Sequence, residues 1–160
     1  MDENIHKKDD SLLQLVTFNI SQEEFGIDIL KVQEIIRTME ITKLPRAPEF
    51  VEGVINLRGK VIPIIDLRGR FGMDSRNHDS QTRIIVVELN QVIVGFVVDS
   101  VSEVLRIPAD TVVPPPSIVS GVDSEYISGV GKLDDRLLIL IDLEKLLSPE
   151  EHEAISVAPS

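Results

Sequence analysis

Two aspartates come nearest, by type and placement, to catalytic chemistry in this chain. Asp66 and Asp142 each follow a run of aliphatic residues and precede a leucine, in two stretches that resemble each other. One carboxylate from each half of a duplicated β chain is the arrangement of an aspartic hydrolase, whose two carboxylates share a proton. The end of a strand, just before a helix, is also the place of an N-cap carboxylate. We favour capping and keep an aspartyl hydrolase as the alternative from the enzyme class.

The other reactive residue types do not form a recognisable constellation. The three histidines, His6, His78 and His152, lie in a terminal segment, a polar loop and the last helix, where solvated side chains are expected. Gly131-Lys132 resembles the end of a phosphate-binding loop, but Leu follows it instead of Ser or Thr. The absence of cysteine excludes thiolate ligands, cysteine nucleophiles and disulfides. We therefore expect no catalytic, cofactor or metal site.

Charge and length narrow the class of protein further. The 160 residues carry 16 Lys+Arg and 27 Asp+Glu, a net charge of −11, which disfavours nucleic acid as a partner. The charged start over residues 1–10 cannot be the apolar core of a signal peptide. The longest apolar run, Val92 to Val98, is far shorter than the roughly 20 residues that cross a bilayer. We expect a soluble cytoplasmic protein without direct membrane insertion.

The elements that must position any site are strands. The chain contains 19 Val and 20 Ile, which favour strands over helices. Apolar and polar residues alternate over 16–21, 25–29 and 38–42, the pattern of half-buried strands. The aliphatic runs 61–65 and 137–141 predict strands covered on both faces, with Pro63 at an edge or a bulge. The fold class is therefore all-β.

One helix start is clear near the end of the chain. Ser148-Pro149-Glu150-Glu151 combines a capping serine, a proline at the first helical position and a glutamate that completes a capping box. We predict a short helix through about Ile155, within a C-terminal helix and tail over 148–160. Residues 1–11 are predicted to be a flexible N-terminal tail.

The chain is also internally duplicated. Residues 53–67 recur as 129–143, and the pattern of residues 26–37 recurs in 95–106. This indicates a first copy over about 12–83 and a second over about 84–147. Because a β unit of about seventy residues is only marginally stable alone, we expect the two units to share one apolar core.

Charge differs between the copies, which indicates a copy-specific surface. Residues 31–83 have a net charge of +3, whereas residues 84–160 have −9. The predicted hairpin tip of the first copy, 56–59, carries Arg58, and its counterpart, 132–135, ends in two aspartates. A polar turn residue is the alternative interpretation of this arginine.

A long ordered pattern over 12–147 resembles the CheW family of chemotaxis adaptors. It comprises Val32-Gln33-Glu34-Ile35-Ile36, Pro45-x-x-Pro48, Gly53-Val54-Ile55-Asn56-Leu57-Arg58-Gly59 and Val61-Ile62-Pro63-Ile64-Ile65-Asp66-Leu67. The resemblance implies two SH3-like five-stranded β-barrels packed across a shared core. It further implies a non-enzymatic adaptor, monomeric when isolated and without cofactors. Such an adaptor couples the cytoplasmic tips of chemoreceptors (methyl-accepting chemotaxis proteins) to the regulatory domain of the histidine kinase CheA.

Residues of the receptor-binding surface follow from the same resemblance. It would consist of Val32, Glu34, Gly53, Asn56, Leu57 and Arg58, while kinase-binding residues stay unassigned. Val32 and Leu57 have ordinary core packing as an alternative, and Gly53 recurs as Gly129, which favours a backbone role. The protein would be cytoplasmic and recruited to membrane-associated receptor arrays. An adaptor of a related chemosensory pathway that controls pili or gliding is the second candidate within this class.

Overall fold

Strands dominate the computed structural model, which describes residues 12–115 and 126–156. Two short α-helices, α1 (Leu67–Arg70) and α2 (Pro149–Ser156), accompany them. The strands are β1 (Leu12–Ile20), β2 (Glu23–Asp28), β3 (Val32–Arg37), β4 (Gly53–Leu57), β5 (Lys60–Asp66), β6 (Arg83–Leu89), β7 (Val92–Val98), β8 (Ser100–Pro108), β9 (Val112–Val113), β10 (Ile127–Lys132) and β11 (Leu137–Ile141). The tail expected at 1–11 and the last four residues of the C-terminal tail lie outside the described residues.

The strands form two sheets with equivalent strand orders. The sheet that we call barrel 1 has the order β3-β6-β7-β5-β4, and barrel 2 has the order β8-β1-β2-β11-β10-β9. In barrel 1 the chain after β3 returns to β4, where Thr42 and Val54 exchange two backbone hydrogen bonds of 2.8 Å. In barrel 2 the two-residue strand β9 makes the corresponding closure on β10. The all-β fold with two SH3-like barrels is confirmed, and the sixth strand of barrel 2 is this short closing segment.

The two barrels do not coincide with the two sequence copies, because each copy contributes one hairpin to the barrel that contains the remaining strands of the other copy. Hairpin β1–β2 comes from the first copy but pairs with β8 and β11 of the second. Hairpin β6–β7 comes from the second copy but pairs with β3 and β5 of the first. Barrel 1 is therefore contiguous along the chain, whereas barrel 2 is built from two separated segments.

The largest apolar cluster lies between the barrels, as the sequence predicts. Phe18 and Phe25 of barrel 2 meet Ile85 and Phe96 of barrel 1 there, all nearly inaccessible to solvent. Smaller clusters fill each barrel interior. An aromatic stack continues from the shared core to its rim, with ring centroids 5.0–5.6 Å apart, through Phe18, Phe25, Phe71 and Tyr126. Burial of this aliphatic and aromatic surface stabilises the two barrels as one unit.

Three local predictions were wrong. Residues 38–40 are irregular, because the chain leaves the sheet after β3 and returns only at the bridge of Thr42. Val61 and Leu137, near the starts of β5 and β11, are 47% and 62% exposed, so these strands are not covered on both faces throughout. Pro63 lies in an interior strand, but the ladder between β5 and β7 starts only at Ile64, so the missing N–H falls just outside it.

The capping box of the last helix is confirmed. The backbone N–H of Glu151 donates to Ser148 Oγ over 3.1 Å, and the N–H of Ser148 donates to Glu151 Oε1 over 2.9 Å. These reciprocal bonds satisfy amides that the first turn leaves free. The Arg70 guanidinium also bonds Glu151 and the Leu146 carbonyl, which ties α1 to α2. Barrel 1 is thereby attached to the C-terminal helix.

A carboxylate at the second crossover between the barrels is held by groups from both. Asp99 lies between β7 and β8, and its Oδ2 accepts a 2.7 Å bond from the N–H of Ser21 in the β1–β2 turn. Arg68 of α1 donates two bonds to the same carboxylate, over 2.9 and 2.7 Å, and Arg76 donates a third over 3.1 Å. Burial alone would raise the pKa of Asp99, but the bonds from Arg68 and Ser21 outweigh it, so this pKa lies below its ordinary value.

We expect Asp99 to stabilise the fold at neutral pH and to lose that effect in acid. Because its folded-state pKa is lowered, its contribution is present above the unfolded value of about 4 and disappears as the pH falls through the folded value. Asp99→Asn should lower the free energy of unfolding at pH 7 by about 1–2 kcal/mol. The difference from the parent should shrink as the pH falls below about 4.

Urea unfolding at a series of pH values measures this dependence. Asp79→Asn is the comparison variant: the N–H of Gln81 and the Arg76 guanidinium lower the pKa of Asp79 too, but Asp79 lies on an exposed loop, so its loss of stability at pH 7 should be smaller than that of Asp99→Asn. An Asp99→Asn chain whose unfolding free energy stays parallel to that of the parent down to pH 2 would contradict the assignment.

Candidate protein-interaction surface

The β4–β5 hairpin closes through a two-residue turn with unusual backbone geometry. Arg58 has φ 52° and Gly59 has φ 88°, so both central residues are left-handed, as in a type I′ turn. Asn56 Oδ1 accepts a 2.9 Å bond from the N–H of Gly59 and fixes the turn. This turn type matches the twist of the flanking strands, and Asn or Gly is the usual residue at its first central position.

Arg58 therefore occupies a position that its own backbone preference does not favour. A left-handed conformation costs a residue with a β-carbon roughly 1–2 kcal/mol. Its side chain is 68% exposed and forms an ion pair with Glu34 of β3, whose side chain is 31% exposed. Strain at an exposed side chain supports a role for that side chain beyond the turn.

The counterpart turn in barrel 2 is built differently. Asp134 and Asp135 occupy it without left-handed backbone angles, and the N–H of Leu133 bonds the Arg136 carbonyl over 2.9 Å. The guanidinium of Arg136 lies beside Glu24, which is 2.7 Å from its Nε and raises its pKa. The turn of barrel 1 thus carries a cation, whereas the equivalent turn of barrel 2 carries two acids and is followed by an arginine paired with Glu24.

The other residues predicted for this surface divide by burial. Asn56 is exposed beside Arg58, and Glu34 joins that pair through its carboxylate. Val32 is half-buried against the shared core, and Leu57 is half-buried against the interior of barrel 1. Both apolar side chains therefore have a packing role as well as a partly accessible surface.

Gly53 is buried, and its reason is a close approach of backbone. A β-carbon there would lie 2.5 Å from the Thr42 carbonyl oxygen, in the segment that closes barrel 1. The equivalent atom on Gly129 would lie 2.7 Å from Val112 Cγ1, in the segment that closes barrel 2. This matches the backbone role that the recurrence of this glycine favours.

Asp66 and Asp142 both act as helix caps. Asp66 Oδ1 accepts a 3.0 Å bond from the N–H of Arg68 at the start of α1. Asp142 Oδ1 accepts a 3.1 Å bond from the N–H of Glu144, in a single 3-10 turn. Each carboxylate thus stabilises its own copy of the strand-to-helix junction.

Two of the three histidines lie among the described residues, and His152 Nε2 is 3.1 Å from the Glu144 carbonyl oxygen. His78 Nδ1 is 3.1 Å from Thr38 Oγ1, and its Nε2 is 3.9 Å from Glu52. Burial, followed by the nearby Asp66 carboxylate, raises the pKa of Glu52. Within 12–115 and 126–156, no group of three or more His, Asp or Glu side chains is arranged to hold a metal ion.

Asp99, whose carboxylate accepts bonds from both barrels, is a structural residue that the sequence did not predict. Its position in the first copy corresponds to Leu30, so the duplication gives no signal for it. Only the meeting of the β1–β2 turn with α1 makes its carboxylate important.

The fold and its surface define a protein-interaction module. The two barrels are intertwined, Asp66 and Asp142 are both engaged in capping, and a strained cation lies at the tip of only one barrel. Among the residues that the structure describes, no helix is long and apolar enough to cross a membrane.

Comparisons with known proteins place this module in a family. The family model described as "CheW-like domain" matches residues 14–151. The chemotaxis protein CheW of Klebsiella aerogenes is 46% identical over 138 residues, which cover 86% of this chain and 83% of that protein. CheW of Helicobacter pylori is 36% identical over 141 residues, covering 88% and 85%.

A solved structure agrees with these relatives. The crystal structure of the scaffolding protein TtCheW from Thermoanaerobacter tengcongensis superimposes with a TM-score of 0.80 at 40% identity, covering 88% of this chain and 97% of that one. The chain belongs to the CheW family. It is a non-enzymatic scaffold of chemotaxis signalling, and the aspartyl hydrolase alternative is excluded.

Proposed function

We propose that this chain couples the cytoplasmic tips of chemoreceptors, the methyl-accepting chemotaxis proteins, to the histidine kinase CheA. The observation that carries the proposal is the strained, exposed Arg58 at the turn of barrel 1, paired with Glu34, where the equivalent turn position of barrel 2 holds Asp134. A scaffold must present different surfaces to different partners. The two tips differ in the way that this requirement predicts.

The receptor surface is proposed to combine a polar rim with apolar contacts. Arg58, Glu34 and Asn56 offer a charge-assisted donor, an acceptor and an amide to polar groups on a receptor's helical hairpin. The accessible parts of Val32 and Leu57 would pack against the apolar stripe of one receptor helix. Gly53 would act indirectly. Because it has no side chain, the closing segment at Thr42 can pack closely against β4 and set the position of that strand.

The kinase is proposed to dock its related double-barrel regulatory domain onto barrel 2. This leaves the tip of barrel 1 free for the receptor, so both partners can bind together. The protein would then be cytoplasmic, monomeric when isolated, and recruited to membrane-associated arrays by its partners alone. The relatives named above are called chemotaxis proteins, which favours chemotaxis over the control of pili or gliding.

Receptor-linked autophosphorylation of the kinase tests the coupling role. The purified chain should incorporate no phosphate by itself but should raise incorporation by CheA when receptor cytoplasmic fragments are present, because it brings the two together. The measurement is labelled phosphate on the kinase, with receptor and kinase held constant. Equal incorporation with and without this chain would refute coupling, and the kinase without receptor is the baseline.

A further inference from the structure

Hairpin β1–β2 has its strand partners in a distant part of the chain. β1 pairs with β8 from Leu12 with Pro108 to Asn19 with Ser100, and β2 pairs with β11 through Phe25 and Gly26. The segment that follows the hairpin, β3, belongs to barrel 1 instead. The hairpin is therefore a unit whose strand partners are β8 and β11.

The connection between the hairpin and β3 is short and held by few bonds. It is a single 3-10 turn, Ile29–Lys31, capped by the Asp28 carboxylate, which accepts a 2.9 Å bond from the N–H of Leu30. Lys31 Nζ lies 2.8 Å from Glu144 Oε2, but these side chains are 41% and 48% exposed. Exposed ion pairs contribute little to stability, so apart from the cap the closed turn is held mainly by Ile29, which packs against the shared core.

An apolar side chain in this turn has no packing role in the monomer. Leu30 is 87% exposed, the highest value among the large apolar residues of the described chain. If the turn became extended, β2 and β3 of one chain would form a single continuous segment. The extended hinges of two chains would then lie next to each other at a two-fold axis. Leu30 of each chain would then be covered by its copy.

We propose that the chain exchanges hairpin β1–β2 with a second copy of itself, with Ile29–Lys31 as the hinge. In the exchanged dimer, every contact of the hairpin with the described residues after the hinge forms between chains instead of within one chain. The two forms therefore differ only at the hinge and in the entropy of association. The monomer dominates at low concentration, and the exchanged dimer accumulates when the chain refolds at high concentration.

An engineered disulfide distinguishes exchange from simple association. Gln14 and Arg106 are directly opposite each other on β1 and β8, both are exposed, and the chain contains no other cysteine. A Gln14→Cys/Arg106→Cys chain is refolded at micromolar and at millimolar concentration, oxidised and run on a denaturing gel without reductant. We expect single chains from the dilute sample and disulfide-linked pairs from the concentrated one. Only single chains from a concentrated dimer would overturn the proposal, because a side-by-side dimer keeps each disulfide within one chain.

Hinge variants provide a second, independent measurement. Asp28→Ala removes the cap, which stabilises only the closed hinge of the monomer. This shifts the equilibrium between closed and open hinge about fivefold for each chain. Because each dimer contains two chains, the association constant of the dimer should rise about 25-fold. Asp66→Ala is the matched control, since it removes an equivalent carboxylate cap, on the N–H of Arg68, from a turn that joins no exchanged hairpin. Deleting Leu30 and Lys31 should prevent the hairpin from folding back and give dimers at micromolar concentration. Light scattering after size-exclusion chromatography reports the mass, and an unchanged dimer fraction for Asp28→Ala would overturn the proposal.

Discussion

An Arg58→Glu chain is expected to bind receptor fragments about thirtyfold more weakly than the parent. Truncating an interface arginine of this kind costs about 2 kcal/mol or more of binding, which is roughly thirtyfold in affinity. Thermal unfolding should change by no more than about 0.5 kcal/mol, since the side chain is 68% exposed. Binding to the isolated kinase should be unaffected. Calorimetric titration with receptor fragment and with kinase measures both affinities.

Three companion variants separate charge, turn geometry and the ion pair. Lys60→Glu makes the same change of charge at the neighbouring exposed position and should leave receptor affinity within a factor of about three. Arg58→Asn suits the left-handed turn, so it should keep or raise stability and still lose receptor binding. Glu34→Arg/Arg58→Glu re-forms a pair of opposite charges, yet it should not regain affinity if the guanidinium itself contacts the receptor. Receptor affinity of Arg58→Glu within a factor of about two of the parent would mean that Arg58 is only a turn residue.

Separated sequence copies are expected to be unfolded alone and folded together. A cut in the exposed loop between Ser75 and Arg76 leaves β1 without β8 in one fragment and β6 without β3 in the other. Each fragment then lacks strands of both sheets and exposes its part of the shared core, and a fragment of this size is only marginally stable even when complete. Mixing equal amounts of fragments 1–75 and 76–160 should restore a native-like spectrum. Amide proton dispersion in heteronuclear NMR spectra is the measurement.

A fragment cut by barrel instead of by copy is the informative control. Residues 29–98 contain all five strands of barrel 1, so this fragment should show more dispersed amides than either copy alone. It should also self-associate, because Ile85 and Phe96 of the shared core become exposed. A cooperative, well-dispersed spectrum from 1–75 or 76–160 alone would contradict the expectation that each fragment needs the strands of the other to fold.

Much of this fold is encoded locally and could therefore be predicted from the sequence. Aliphatic β-branched residues and period-two alternation predict strands because they reflect side-chain packing on a pleated surface. The caps at Asp66, Asp142 and Ser148 involve atoms within three residues of each other along the chain, so their positions follow from residue type and spacing. The recurrence of residues 53–67 likewise predicts two similar units with a common core.

The assignment of strands to barrels was decided only by the tertiary structure. Nothing in the alternation of β1 specifies whether its partner is β3 of its own copy or β8 of the other, because both strands present equivalent patterns. The hydrogen bonds of the Asp99 carboxylate likewise depend on Ser21 and Arg68, which lie 78 and 31 residues away along the chain.

At the candidate site, the sequence by itself determined which residues form the hairpin tip of barrel 1 and that its charge differs from that of its repeat. Only the tertiary structure decided that Arg58 adopts a left-handed backbone and pairs with Glu34, and that Gly53 is packed against Thr42. The physical reason is that closure of the barrel brings the end strands β3 and β4 together. Contacts formed by such closure depend on residues far apart in sequence, and no local pattern records them.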